Sequence, residues 1–333
     1  MVEFYDFDLR SELKKPSTKT CGYINFAMKP DGTWVKIPIM LAVGAKDGAV
    51  VLADACCHGD ECEGTEGIIA AFNSLDVNTM SGVFIGIPAL NLEAFGEMRR
   101  YGGRDFVPQD MNRAYPGNPE GFLTFSLAHY YFNNVVKHAD AAITIHGGGS
   151  TLYLEPVTCF PSMNDTVSSK SEEMAKAFGF EALWRDKECD GKSGIQDHHS
   201  YLAGIPSITP EIGGQATRLH QREENAEKVK NGIINVLRLW KVIDEPVVKF
   251  DNQYYVELKY IYTHHGGIHK PQKKEGEFVK KGDVLSIITD VFGNEVGRVV
   301  SEYDAVVIGF LVYPVANPKS WVYLLGANVE GKK

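Results

Sequence analysis

Val50-Val51-Leu52-Ala53-Asp54-Ala55-Cys56-Cys57-His58-Gly59-Asp60-Glu61 is the stretch on which the fold turns. Its first half is a nearly unbroken apolar run of strand length, the signature of a strand covered on both faces. Its second half turns abruptly polar, with a glycine where the chain must bend. An imidazole and a carboxylate three residues apart at that junction can both turn toward one point beyond the carboxyl end of the strand, where open α/β sheets bind ligands. Two later runs end in the same way. Ala141-Ala142-Ile143-Thr144-Ile145 stops at His146-Gly147-Gly148-Gly149, and Ile205-Pro206-Ser207-Ile208-Thr209-Pro210 stops at Glu211.

Working outward, short apolar runs bounded by Gly, Pro or Asp predict strands at 35–43, 49–55, 83–87, 141–145, 152–156 and 207–211. Helices are expected at 63–75, 121–138, 168–178 and 224–243. In the last of these, Val229, Ile233, Val236, Leu237 and Trp240 recur at helical spacing. Such alternation indicates a sheet with helices on both faces. After about Pro246 the pattern changes to short strands at 254–262, 284–290, 295–300 and 305–313, separated by Gly, Lys and Asp turns and followed by no helix. The expected organisation is an α/β catalytic domain over 1–250 and a smaller β-rich C-terminal module over 251–333.

The 333 residues include 34 Lys+Arg and 43 Asp+Glu, a formal charge of −9, which argues against a nucleic-acid partner because a polyanion needs a basic face. Hydrophobic residues at 44% and aromatics at 11% are enough for a large core. No run approaches the ~20 apolar residues of a membrane helix. The opening Met1-Val-Glu-Phe-Tyr-Asp is acidic where a signal peptide is basic. Six cysteines at 21, 56, 57, 62, 159 and 189, without CxxC spacing, read as reduced thiols. A soluble cytoplasmic protein is expected, with no membrane partner. Cys56 and Cys57 are expected to end a buried strand rather than bind metal.

His58 and Glu61 alone are a weak metal signal. With His146 they make a His2Glu set, and three such ligands leaving a fourth position open describe a catalytic zinc site. Taken alone, His146 fits a capped strand end equally well. Hydrolysis at such a metal also needs a proton carrier, and Glu211, a carboxylate ending an apolar strand, is the candidate. Its alternatives are a helix cap or a partner for Arg218. Between 99 and 113 lie Arg99, Arg100, Arg104 and Arg113, in a loop rich in Gly, Pro and Asp. Arginine grips carboxylates with paired hydrogen bonds, and Asn112 beside Arg113 adds a neutral donor. A solvated loop with incidental ion pairs is the alternative there.

His58-Gly-Asp-Glu61, Asp110-Met-Asn-Arg-Ala-Tyr-Pro-Gly117, Ile143-Thr-Ile-His146 and Pro210-Glu-Ile-Gly-Gly214, in that order, together resemble the succinylglutamate desuccinylase/aspartoacylase family, relatives of the zinc carboxypeptidases. The resemblance implies a carboxypeptidase-like mixed sheet and one Zn2+ per chain on His58, Glu61 and His146. It implies Glu211 as general base and then acid, and Asn112 and Arg113 holding the carboxylate of a small N-acyl amino acid. An arginine upstream of the Asn-Arg pair would polarise the scissile carbonyl; Arg104 and Arg100 both qualify, and Arg104 is preferred for its distance from Asn112. The chain departs from the family in having Thr144 where an Asp commonly precedes the third ligand, and in the Gly147-Gly148-Gly149 run, which is expected to reshape the acyl pocket.

Residues 266–285 and 304–309 resemble the hairpins of a biotinyl or lipoyl half-barrel, but 282–318 contains no lysine to carry a swinging arm. This end is expected to cover the active-site rim or to build an oligomer contact. The expected activity is zinc-dependent deacylation of an N-acyl amino acid, with a peptide-cleaving metallocarboxypeptidase as the alternative and a non-enzymatic binding protein as a third.

Overall fold

A computed structural model describes residues 2–102, 105–214 and 218–332. Among them, a thirteen-stranded sheet runs in the order β1 (Val2–Phe4), β2 (Thr18–Met28), β3 (Trp34–Val43), β5 (Ser81–Ile87), β4 (Lys46–Ala55), β6 (Ala141–Ile145), β9 (Ser207–Gly213), β7 (Leu152–Pro161), β8 (Ala182–Asp186), β10 (Tyr254–Tyr262), β17 (Trp321–Glu330), β15 (Ala305–Leu311) and β12 (Phe278–Val279). A second sheet is formed by β14 (Glu295–Val300), β13 (Val284–Thr289), β11 (Gly267–Pro271) and β16 (Val315–Ala316). The helices are α1 (Leu9–Glu12), α2 (Glu63–Ser74), α3 (Leu92–Glu97), α4 (Leu123–Asn134), α5 (Thr166–Phe178), α6 (Gln196–Leu202) and α7 (Arg218–Leu239).

The centre of the large sheet is parallel: β5, β4, β6 and β9 pair in that sense. Alternation along β4 splits its side chains between two cores. Val51, Ala53 and Ala55 pack with residues of α2, α5 and α7, whereas Leu52 packs with Leu127, Ala128, Tyr131 and Phe132 of α4 on the other face. Helices therefore cover both faces, as the alternating pattern predicts. The stripe Val229, Ile233, Val236 and Leu237 of α7 is fully buried. Truncating one of these to Ala would cost about 2–5 kcal/mol.

The far part of the sheet curls and closes. β7 pairs with β8, β8 with β10, β10 with β17 and β17 with β15, and β15 returns to β7 through Gly309↔Leu154, Phe310↔Tyr153 and Leu311↔Leu152. This five-stranded ring encloses Leu154, Val157, Ala182, Val256, Val306, Ile308 and Leu324. The alternate residues Ala305, Val307, Tyr323 and Leu325 point the other way and pack with Leu285 and Ile288 of β13 and Val299 of β14. The seam requires a glycine, because a Cβ on residue 309 would lie 2.5 Å from the Leu154 side chain and 2.6 Å from the Tyr153 carbonyl oxygen. Strands before and after residue 250 thus share one ring. No described helix is long and apolar enough to cross a membrane.

Candidate metal centre

The three strand ends identified in the sequence meet. β4 stops at Ala55, Cys56 turns the chain with a positive φ of 53°, and the Ala55 and Cys56 carbonyls accept from the Leu90 and Asn91 amides. Gly59 lies so close to α3 that a Cβ there would sit 1.9 Å from the Ala94 carbonyl carbon, so only glycine permits this path. The loop delivers His58 and Glu61 to the mouth of the sheet. His146 follows β6, its amide donating to the Pro210 carbonyl at 2.9 Å and its own carbonyl accepting from Ile212, which fixes it beside Glu211.

His58 Nδ1 lies 2.8 Å from Glu61 Oε1, and His146 Nδ1 lies 2.7 Å from Glu61 Oε2. One donor atom from each of the three residues falls within 4.8 Å of the others, and all three side chains are buried. Two imidazoles and a carboxylate converging on one point suit zinc, which takes nitrogen and oxygen ligands tetrahedrally and keeps one position open in catalytic sites. Burial opposes the charge of Glu61, yet the two imidazoles outweigh it and hold its carboxyl well below the usual range.

The outer nitrogen of His58 is not free. Nε2 faces Asp110 Oδ1 at 2.9 Å, an arrangement that orients a ligating imidazole and sets its tautomer. Asp110 thus orients His58, a role the sequence reading does not assign, and it stands at the head of the Asp-Met-Asn-Arg motif. The same carboxylate accepts the Asn112 amide on Oδ1 and two Arg100 donors on Oδ2, at 3.2 and 3.0 Å. Arg100 also donates from Nη1 to Glu61 Oε1 at 3.1 Å.

Of the clustered arginines, Arg100 and Arg113 line the cavity, while Arg99 is exposed and is not among the lining residues. Arg104 lies outside the described residues. Asn112 is buried, and its Oδ1 accepts from the Gln196 amide at 3.0 Å, which turns its Nδ2 toward His146. Glu211 lines the same cavity, and burial pushes its carboxyl up to about 7. Gly147 donates its amide to Glu61 Oε2 at 3.3 Å, and Asp60 accepts the Ser150 amide at 2.8 Å, so the glycine run lies directly against the loop that carries His58 and Glu61.

Where the family pattern has an acid before the third ligand, Thr144 pairs across the sheet with Asp54. Asp54 is buried beneath the site, accepting from Tyr131 Oη at 2.9 Å and Gln196 Nε2 at 2.6 Å, and burial pushes it up to about 6. Gln196 also donates to Thr144 Oγ1 at 3.0 Å and so ties this layer to Asn112.

The cavity, about 660 Å³, extends from the histidines to the mouth of the ring, where Leu154, Val157, Trp184, Leu258, Tyr260, Trp321 and Leu324 line it. Asp186, Asp197 and His198 line it too. A second trio, Asp186, Cys189 and His198, has donor atoms within 4.8 Å of one another. Burial, then the adjacent carboxylates, push the Cys189 thiol up. In that corner Asp186 Oδ2 and His198 Nε2 pair at 2.8 Å.

Residues 47–240 match the model of the succinylglutamate desuccinylase/aspartoacylase catalytic domain. The N-alpha-acetyl-L-2,4-diaminobutyric acid deacetylase of Halomonas elongata is 27% identical over 293 residues, spanning 85% of this chain and 83% of the relative. A succinylglutamate desuccinylase/aspartoacylase structure from Rhodobacter sphaeroides has a TM-score of 0.84 at 24% identity, covering 98% of each chain. The product-bound ectoine utilization protein EutE (DoeB) from Ruegeria pomeroyi has a TM-score of 0.83 at 21% identity, covering 95% of this chain and 98% of that one.

Proposed function

The chain belongs to the succinylglutamate desuccinylase/aspartoacylase family, and on that footing we propose that it is a zinc-dependent deacylase hydrolysing the amide bond of a small N-acyl amino acid. The observation that carries this reading is the convergence of His58 Nδ1, His146 Nδ1 and the Glu61 carboxylate beside Glu211, in a cavity that also presents Arg100, Asn112 and Arg113. A zinc ion held by His58, Glu61 and His146 would supply a Lewis acid and lower the pKa of a water it binds toward ~7.

The chain's own residues supply the rest. Glu211, whose carboxyl burial raises, is suited to taking a proton from the attacking water and returning it to the departing amine nitrogen. Arg100 is placed to donate to the carbonyl oxygen as negative charge builds on it. The sequence reading preferred Arg104 for this role, and Arg104 lies outside the described residues. Asn112 and Arg113 hold the α-carboxylate, and Asp110 keeps His58 in one orientation. The products are a carboxylic acid and a free amino acid.

A cavity of about 660 Å³ walled by Tyr260 and Trp321 is of small-molecule size, which favours a free N-acyl amino acid over a peptide chain. All six cysteines are free thiols, which fits a cytoplasmic location. The test is to measure bound metal, then assay native protein and Glu211→Ala on a panel of N-acyl amino acids headed by N-acetyl derivatives, acetyl being the acyl group of the Halomonas relative. The native protein should turn over at least one, and the variant should keep its metal while kcat falls roughly 10²- to 10⁴-fold. A zinc-loaded protein inert toward the whole panel, or one releasing C-terminal residues from peptides instead, would overturn the reading.

A further inference from the structure

Gln196 is fully buried and does not line the cavity, yet it is bonded to a residue that does. It is the first residue of α6, and its main-chain N–H is one that a helix leaves without an internal partner. That N–H donates to Asn112 Oδ1 at 3.0 Å. The side-chain Nε2 donates to Asp54 Oδ2 at 2.6 Å and to Thr144 Oγ1 at 3.0 Å, which spends both of its hydrogens. Asp54 and Thr144 are paired across β4 and β6, the two strands that lead to His58, Glu61 and His146. One residue therefore links the strands behind the proposed ligands to Asn112.

An asparagine amide has two faces of nearly equal shape and opposite character. Its oxygen repels a carboxylate, and its NH2 group binds one. A main-chain N–H can only donate, so the contact from residue 196 commits Oδ1 and leaves Nδ2 as the face that Asn112 can offer to an anion. Burying a glutamine amide together with the Asp54 carboxylate is costly unless both are bonded. An apolar layer would hold the strands together equally well, but it would not set the orientation of that asparagine.

We propose that Gln196 is a positioning residue for substrate binding: its N–H turns the donor face of Asn112 toward the substrate carboxylate, and its side chain, pinned to Asp54 and Thr144, keeps that N–H in place. The proposal rests on the deacylase reading and deepens it, because it concerns how the same site prefers an acid to the neutral amide of that acid.

The test uses metal-loaded Glu211→Ala protein, in which turnover does not interfere, and compares N-acetylglycine with its uncharged counterpart N-acetylglycinamide by NMR titration. With Arg113 and Asn112 both donating to it, the acid should bind roughly a hundredfold tighter. Gln196→Pro deletes the N–H and the side-chain amide together. Proline suits the first position of a helix, and Ile195 before it is already extended at φ −82° and ψ 138°. This variant should keep its zinc and cut the acid-to-amide ratio about tenfold. Gln196→Met keeps the volume and the N–H, so it reads the same ratio where the proline variant does not fold, and should cut it about threefold. Either substitution added to Asn112→Ala should change the ratio less than about twofold, because it acts through Asn112. With Glu211 intact, both should raise KM for N-acyl amino acids and leave kcat within about threefold. An unchanged ratio in a folded variant, or an equal loss on the Asn112→Ala background, would overturn the positioning role, since a merely structural residue alters stability without altering that ratio. A starting protein with no preference for the acid would overturn it too, and turnover of the N-acyl panel would then leave the deacylase intact. Inertness toward the whole panel, with the ratio still governed by Gln196, would overturn the deacylase reading and leave the positioning role standing.

Discussion

The metal end and the ring end of the cavity are built on different principles. At the metal end the proposed ligands each follow a strand at the centre of the sheet by one to six residues, and short motifs deliver them: His58 and Glu61 after β4, His146 after β6. At the ring end the lining residues come from β7, β8, β10 and β17, and no motif links them. The proposed ligands are placed by local sequence, and the far lining of the cavity by distant pairings. Substitutions at the metal end should therefore change metal content and kcat, and those at the ring end should change KM and substrate choice.

The largest effect is expected for His146→Ala. Removing one of three ligands should abolish stoichiometric zinc, read by elemental analysis, and take activity to background with the fold intact by circular dichroism. Zinc retained with high turnover in that variant would break the comparison at its stronger side. Arg113→Ala should keep the metal and raise KM roughly ten- to a hundredfold while kcat changes little, the loss of one charge-assisted contact to the substrate carboxylate. A fall confined to kcat would move Arg113 from binding to chemistry.

Gly309→Ala tests the ring itself. The added methyl meets the Leu154 side chain and the Tyr153 carbonyl, so the seam must shift, at a cost of about 1–3 kcal/mol in stability. Zinc should remain bound and KM should rise. Loss of metal instead would show that the two ends are mechanically one.

The smallest effect concerns pH. His269 is buried against β13, with Ser286 Oγ 2.6 Å from Nε2, and burial pushes its imidazole down to about 4. Its folded pKa lies below the ordinary 6.5, so as the medium is acidified the unfolded chain takes the proton first. Stability from this residue is intact above about pH 6.5 and lost on descent toward about pH 4. The melting temperature should fall across that window, and His269→Gln should flatten the fall.

The same division explains what was legible in the sequence. The strands that carry the metal end were predicted within a few residues of where they lie, because a doubly covered strand writes its burial directly into an apolar run. α7 starts six residues earlier than its apolar stripe suggests, since its first turns, Arg218–Glu224, carry few apolar side chains. β8 and α6 were not predicted at all. β8 reads Ala182-Leu-Trp-Arg-Asp186, five residues with no clean alternation, and α6 reads Gln196-Asp-His-His-Ser-Tyr-Leu202, whose buried members are polar. Asp197 and His198 are inside because Thr209 and Asp186 satisfy them, a fact of tertiary pairing. β17 was missed as well, although its opening run Trp321-Val-Tyr-Leu-Leu325 is the kind of apolar stretch that coverage on both faces produces. Asp110 could have been found from its motif, whereas Tyr260 and Trp321 could be placed only by the ring.

Ring closure also dictates the order in which the molecule can be completed. Its seam joins residues 152–154 to 309–311, and its last strand, β17, ends at Glu330. During synthesis the amino-terminal part emerges and folds first, so every proposed ligand of the metal is on hand long before the far lining of the cavity. Long-range pairings of this kind are also the slow ones in folding. A growing chain thus passes through a stage that holds all the proposed ligands before β10, β15 and β17 are present to close the ring beside them.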